Sequence, residues 1–293
     1  MKTSLKILAI TPVYLVILII GTMIGMALFP NETMSQSSEG GFDIMLLLVA
    51  FLNGTILFYY VMKSNTSGWP LILRTALLSF ILQYFITQVE SLWFIGALQM
   101  SRETVYALLT GGIISSILFA IIAVWMGGKK SGVPEYSNIG SAPQLIRIAL
   151  LTVIVWPSLY FLAGYYIAWQ SPDIRLYYSG STEMLSFWEM MKMNLAEGLY
   201  SFQIFRGIVW AAVAWYAFSV IKGTRWQNAI LLGLLFSILG HSQLLLQNSI
   251  MPETVRMVHL LETVVSTFAW GMILSYSWLD APIRSFPVKT ASA

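Results

Sequence analysis

Six polar side chains are embedded in long apolar runs of this sequence: Gln83 and Glu90 in one, His241 in a second, and Arg256, His259 and Glu262 in a third. A charged group inside a membrane costs about 2.5–3.5 kcal/mol on insertion scales, so such residues are suspects for function. Arg256, His259 and Glu262 are spaced three apart, which on a helix keeps them within an arc of about 120°. Thr263 and Ser266 extend the same stripe. Gln83, Thr87 and Glu90 recur at i, i+4 and i+7 and share a helix face, as do His241 and Asn248.

Carboxylates beside an imidazole or guanidinium can carry a proton, hold a cation or work as general acid and base. A buried carboxyl keeps its charge only beside a counter-charge and otherwise takes up a proton. Arg256 and His259 suit an anionic group. Metal chemistry finds weaker support. His259-x-x-Glu262 offers two ligands on one face, with His241 and Glu90 as partners from other helices, and this donor set suits zinc, iron or manganese. Without a His-Glu-x-x-His pattern, however, no metal site is expected. The absence of cysteine excludes thiolate catalysis and Cys-held zinc or iron–sulfur centres. No phosphate-cradling glycine loop or Asp-rich diphosphate motif occurs, and the cofactor is left unassigned. Each suspect also has a plainer role. Glu90 and the His259/Glu262 pair fix helix packing, His241 bonds a neighbouring helix, and Arg206 and Arg256 snorkel to the headgroups.

The elements that must position these groups follow from composition. Of 293 residues, 57% are hydrophobic and 10% charged, with mean hydropathy +0.74, where soluble domains carry roughly a quarter charged residues. About 20 apolar residues make a span. Eight segments qualify, near 7–29, 44–62, 71–98, 105–126, 147–169, 204–221, 226–247 and 253–278. The expected fold is all-α: a polytopic membrane helix bundle of about eight transmembrane helices in a single membrane domain over residues 1–293. The first apolar segment is too long for a signal-peptide core and is expected to be retained.

With the N-terminus inside, Lys2, Lys6, Lys63, Arg74, Lys129, Lys130, Arg147, Lys222, Arg225, Arg284 and Lys289 are cytoplasmic, and Arg102, Arg175, Lys192, Arg206 and Arg256 are not. That bias predicts a multi-pass protein of the cytoplasmic membrane with both ends in the cytoplasm. Basic residues spread along membrane boundaries do not suit nucleic acid. Membrane lipids are expected partners, together with a small-molecule or lipid substrate; oligomeric state leaves no signal.

Between Gln170 and Gln203, an amphipathic helix is expected near 182–197, with Thr182 as N-cap and Gly198 at its end, lying on the outer leaflet or covering a pocket. Gly111, Gly112, Ser115 and Ser116 predict a seam of close helix contact. A faint repeat pairs Leu78–Phe85 with Leu235–Ser242, Glu103–Val105 with Glu253–Val255, and Trp69 with Trp226. It suggests two parallel four-helix units, about 1–130 and 145–280. At 1.5 Å per residue, Glu262 lies about 15 Å and Glu90 about 12 Å from the outer ends of their helices. If those helices adjoin, Glu90, His241, His259 and Glu262 converge on one pocket in the outer half of the membrane.

A binding or transport protein for a small or lipid-like molecule fits these features best. An intramembrane enzyme acting on a lipid, isoprenoid or quinone, with His259 and Glu262 as acid and base, is the alternative; a non-catalytic membrane subunit of a complex is a third.

Overall fold

The computed structural model describes residues 3–30, 44–98, 100–129, 142–248 and 250–278. Hydrocarbon offers the backbone no hydrogen-bond partners, so long apolar runs close their own ladders as helices. They are α1 (Thr3–Leu28), α2 (Ile44–Lys63), α3 (Gly68–Trp93), α4 (Arg102–Met126), α5 (Gln144–Ala168), α8 (Leu199–Phe218), α9 (Arg225–His241) and α10 (Glu253–Trp278). Two short helices, α6 (Pro172–Ser179) and α7 (Phe187–Ala196), lie between α5 and α8. Among the described residues there is no β-strand, only an isolated bridge between Ser64 and Ile221.

Among the described residues, seven helices are long and apolar enough to cross a membrane, which marks a multi-pass membrane protein. The eighth expected segment is α8, whose 20 residues include Gln203 and Arg206. It runs antiparallel along α3. Near its start Phe202 stacks on Trp93, with ring centroids 4.6 Å apart. Near its end Arg74 of α3 bonds the Tyr216 carbonyl.

Among the described residues, two pairs of helices meet glycine against glycine. In α1 and α4, a Cβ on Gly21 would stand 2.6 Å from the Gly111 carbonyl oxygen; in α9 and α10, one on Gly271 would stand 2.7 Å from Gly233 Cα. The predicted seam on α4 is therefore a contact seam. Gly111 meets α1, Gly112 lies against the Tyr84 ring, Ser115 donates to the Ile17 carbonyl at 3.3 Å, and Ser116 bonds Ser79 at 3.3 Å.

α2, α4 and α8 finish at one end of the bundle, which carries Lys63, Lys129 and Lys222. There Asn65 N–H donates to the Val220 carbonyl (2.6 Å) and Lys222 N–H to the Lys63 carbonyl (3.0 Å). The two bonds exchange places under a shift of 157 residues, which is also the separation of Tyr60 from Ala217, whose carbonyl accepts from the Tyr60 hydroxyl at 2.9 Å. The remainder of the Lys129–Lys130 loop, both chain ends and the segment with Glu32, Glu39 and Asp43 lie outside the described residues.

The loop differs from expectation. The N-cap is Ser186, not Thr182: its hydroxyl accepts from Glu189 N–H, and the Glu189 carboxylate accepts from Ser186 N–H at 2.9 Å. Residues 180–186 are not helical. Ser186-x-x-Glu189 was visible as a capping box, which satisfies two otherwise open N–H groups where Thr182 satisfies fewer. Gly198, at φ +76°, ends α7 and caps α8. Helix α6 was not foreseen, although Pro172 at its start and left-handed Gly180 at its end are ordinary boundary signals.

Ser186→Ala is expected to lower the opening free energy of the first turn of α7 by about 1 kcal/mol, read by hydrogen exchange of residues 187–190. The bonds from Ser186 hold the Glu189 carboxyl below its usual value. A depressed folded pKa stabilises above the unfolded value and is lost as pH falls through the folded one. Helix α7 should therefore be intact at neutral pH and fray on acidification below about pH 4, with α3 and α4 unaffected.

Candidate functional site

Glu90 is in the last turn of α3 and Arg206 is seven residues into α8. Arg206 Nη1 donates to Glu90 Oε1 at 2.6 Å and to Gln203 Oε1 at 3.2 Å. The Arg206 side chain is 3% exposed and that of Glu90 18%. The guanidinium is boxed by aromatic rings, with Trp156, Tyr160, Phe202 and Trp210 centroids 5.7–5.9 Å from its carbon. Beside it on α10, His259 Nδ1 and Glu262 Oε2 are 2.9 Å apart, with side chains 20% and 5% exposed. The Glu262 carboxylate lies against Gly164 of α5, where a Cβ would stand 3.6 Å from Oε1.

The two acid–base pairs belong to one cluster. Tyr160 of α5 is within electrostatic reach of Glu90, Glu262 and Arg206, and His259 is within reach of Glu90 and Arg206. Helix α6 covers them with Tyr178, whose ring centroid is 6.3 Å from that of His259. Burial first, then Glu90, Tyr177 and Glu262, raise the Tyr178 phenol well above its ordinary value. It is a neutral hydrogen-bond donor at any physiological pH. Helix α6 is held down by Tyr177, which donates to the Ile250 carbonyl at 2.9 Å.

His241 is the last residue of α9, 6.5 Å between centroids from Trp210, and within electrostatic reach of Arg206 and His259. Its chain continues as a 3-10 turn, Ser242–Leu245. The expected helix to Gln247 thus stops early, and Asn248 does not share a helix face with His241. Asn248 instead accepts from Ile250 and Met251 N–H at 3.0 and 2.9 Å, because a short polar side chain serves a turn better than a helix interior.

Gln83 is not in the cluster. It lies in a π-helical turn, Ile81–Phe85, where its oxygen accepts from the Tyr14 hydroxyl at 2.7 Å. A π turn inserts one extra residue, so the i, i+4, i+7 phase is broken and Gln83 and Glu90 face different helices. Arg256 is 5% exposed yet makes no ion pair with Glu90 or Glu262.

Arg206 does not snorkel. A span that began at Ile204 would leave it near a helix end, whereas α8 begins at Leu199, which places Arg206 about 10 Å along the helix from its start and buried. Left-handed Gly198 was the signal for that boundary. Tyr178 was missed with α6.

Arg206 Nε, Gln203 Nε2 and His241 Nδ1 are buried without a protein partner among the described residues. The three π turns among the described residues flank the cluster: one precedes Glu90, Gly164–Ala168 meets Glu262, and Leu151–Val155 includes Thr152, which packs on Gly207 beside Arg206. No group of three His, Asp or Glu placed to hold a metal occurs among the described residues. Two cavities, one between α1 and α4 and one between α2 and α9, lie elsewhere.

The fold and the cluster together define a multi-pass membrane protein that encloses charged groups among its helices. No protein-family model, curated protein or solved structure matches the chain.

Proposed function

We propose that this protein binds or transports a small or lipid-like molecule at the cluster of Glu90, Arg206, His259 and Glu262, in the outer half of the membrane. One observation carries the proposal: two buried acid–base pairs from α3, α8 and α10 meet beside Arg206 Nε, Gln203 Nε2 and His241 Nδ1, buried polar atoms without a protein partner among the described residues. Buried ion pairs are weak stabilisers and costly in a membrane, so their convergence favours a use beyond packing. Polar atoms of this kind are met by water or by a bound polar group. Glu90 and Glu262 carry a proton or hold a cation, Arg206 and His259 hold an anionic group, and Tyr178 closes the outer side. His241 lines the inner edge.

The setting is a cytoplasmic membrane crossed eight times, with α8 as the eighth span and both ends in the cytoplasm. The course of α8 along α3 supports the count. The collection of Lys63, Lys129, Arg147, Lys222 and Arg225 at one end supports the orientation. The exchange of backbone bonds under a 157-residue shift supports two parallel units, because Trp69 and Trp226, and Leu78 and Leu235, are separated by the same 157 residues. Cysteines can be introduced on a background that has none. Ala293→Cys is expected to resist an impermeant reagent in intact cells and to react after permeabilisation; labelling in intact cells overturns the topology.

Native mass spectrometry of gently purified protein tests the function. A co-purified molecule that is lost in Glu262→Gln and in Arg206→Gln supports it; an empty protein counts against it. Double-mutant cycles of Glu262→Gln with His259→Ala and with Glu90→Gln should depart from additivity by at least about 0.5 kcal/mol in thermal stability. If both are additive, the residues do not form one site.

An intramembrane enzyme is the second reading. The 2.9 Å contact of His259 with Glu262 is the geometry by which a carboxylate orients a general base. A chemically altered lipid in the native mass spectrum would select it.

A further inference from the structure

Between α2 and α9 runs a groove of about 380 Å³, lined chiefly by Phe51, Thr55, Tyr59, Gln227, Leu231 and Leu234. It lies apart from the charged cluster. At 1.5 Å per residue its walls, 51–59 on α2 and 227–238 on α9, are about 12 and 17 Å long. That is close to half of the roughly 30 Å hydrocarbon thickness, the depth of a single leaflet. It starts at the basic end of the bundle. Lys63 Nζ stands 5.6 Å from the Tyr59 ring centroid at its mouth. Lys222 is joined to Lys63 through the backbone, and Lys129 Nζ donates to the Ser64 carbonyl at 2.8 Å. No carboxylate lies at this end among the described residues.

The groove has a counterpart that is closed. A shift of 157 residues relates Tyr59 to Tyr216 and Arg74 to Leu231. In the crevice between α3 and α8, Arg74 lies over Tyr216, its guanidinium carbon 4.1 Å from the ring centroid, and bonds both the Tyr216 carbonyl and Ser219 Oγ. Leu231 is shorter and has no polar head to anchor. The same crevice on the α2/α9 side is therefore left open to the membrane.

We propose that this groove is a binding site for an anionic phospholipid, with one acyl chain between α2 and α9 and the phosphate at Lys63. An apolar slot one leaflet deep fits an acyl chain, while a peptide helix about 10 Å across does not enter it. The lysines select the charge of the headgroup.

The test uses the full chain purified in detergent, with phosphatidylglycerol and phosphatidylcholine of identical acyl chains as probes. Phosphatidylglycerol is expected to raise the melting temperature by about 2–4 °C more than phosphatidylcholine. Lys63→Gln should remove that difference. Ile230→Trp, on the exposed lip of the groove, should remove the shift from either lipid. Equal shifts by the two lipids in the unmodified protein, or a full shift retained in Ile230→Trp, overturn the proposal. A photoreactive phosphatidylglycerol with its label in the acyl chain needs no variant. Adducts concentrated in residues 51–59 and 227–238 support the site, whereas adducts spread over all lipid-facing helices overturn it.

Discussion

Arg206→Ala is expected to destabilise the protein by about 3–5 kcal/mol, the penalty for leaving one partner of a buried ion pair uncompensated. The Glu90 carboxylate accepts from Arg206 at 2.6 Å in a setting where the arginine is almost fully enclosed. Four aromatic rings stand around the guanidinium, so solvent screens the pair far less than it would at a surface. Adding Glu90→Gln to the same chain should recover most of the loss, since removing both charges of a buried pair is often neutral or stabilising. Arg206→Lys keeps the charge but loses the flat guanidinium that lies among the four rings, and should fall between. Denaturation in detergent reads all three. A change below about 1 kcal/mol in Arg206→Ala would place this pair with surface ion pairs, which contribute little, and would remove the structural ground for the cluster.

Gly271→Leu is expected to cost about 3 kcal/mol or more, at the upper end of overpacking effects. Any side chain there meets backbone: a Cβ would stand 2.7 Å from Gly233 Cα and 2.8 Å from Gly233 N. Backbone cannot rotate away as a side chain can, so α9 and α10 must separate. Since α10 carries His259 and Glu262 and α9 carries His241, the proposed binding at the cluster should weaken along with stability. Gly240→Ala is the control on α9. Its nearest neighbour is the Leu82 carbonyl at 3.7 Å, ordinary contact, and the gain in helix propensity of up to about 1 kcal/mol should leave the protein as stable or slightly more so. If Gly271→Leu is tolerated equally well, the close crossing is not what holds the two helices.

Much of the helical framework was readable from the chain, because a span is a local property. Twenty apolar residues must close their own hydrogen bonds in hydrocarbon, whatever surrounds them. Segments 44–62, 105–126 and 253–278 accordingly match α2, α4 and α10 to within three residues. The contact seam on α4 was equally local, since small residues four apart can only be a place of close approach. His259 and Glu262 lie on one helix, and their spacing was enough to bring them together. Boundaries were harder where two signals competed. Thr182 and Ser186 are both capping residues, and only the reciprocal bond with Glu189 decides between them.

Tertiary structure decided which helices share the cluster. The chain alone shows that Glu90 needs a counter-charge and offers Arg256 and His259 by proximity to Glu262. The partner is Arg206, 116 residues away, on a helix whose start depends on the backbone of Gly198. The π turn at Ile81–Phe85 sends Gln83 to Tyr14 and Glu90 to Arg206, although helical spacing puts both on one face. An inserted residue of that kind leaves composition and hydropathy unchanged, so it has no signature in the sequence. The groove between α2 and α9 depends in the same way on which side chain fills a crevice made by helices far apart in the chain. Spans, orientation bias and single-helix pairs follow from local chemistry; ion-pair partners, helix phase and open crevices follow from packing, because only packing brings distant residues within reach of one another.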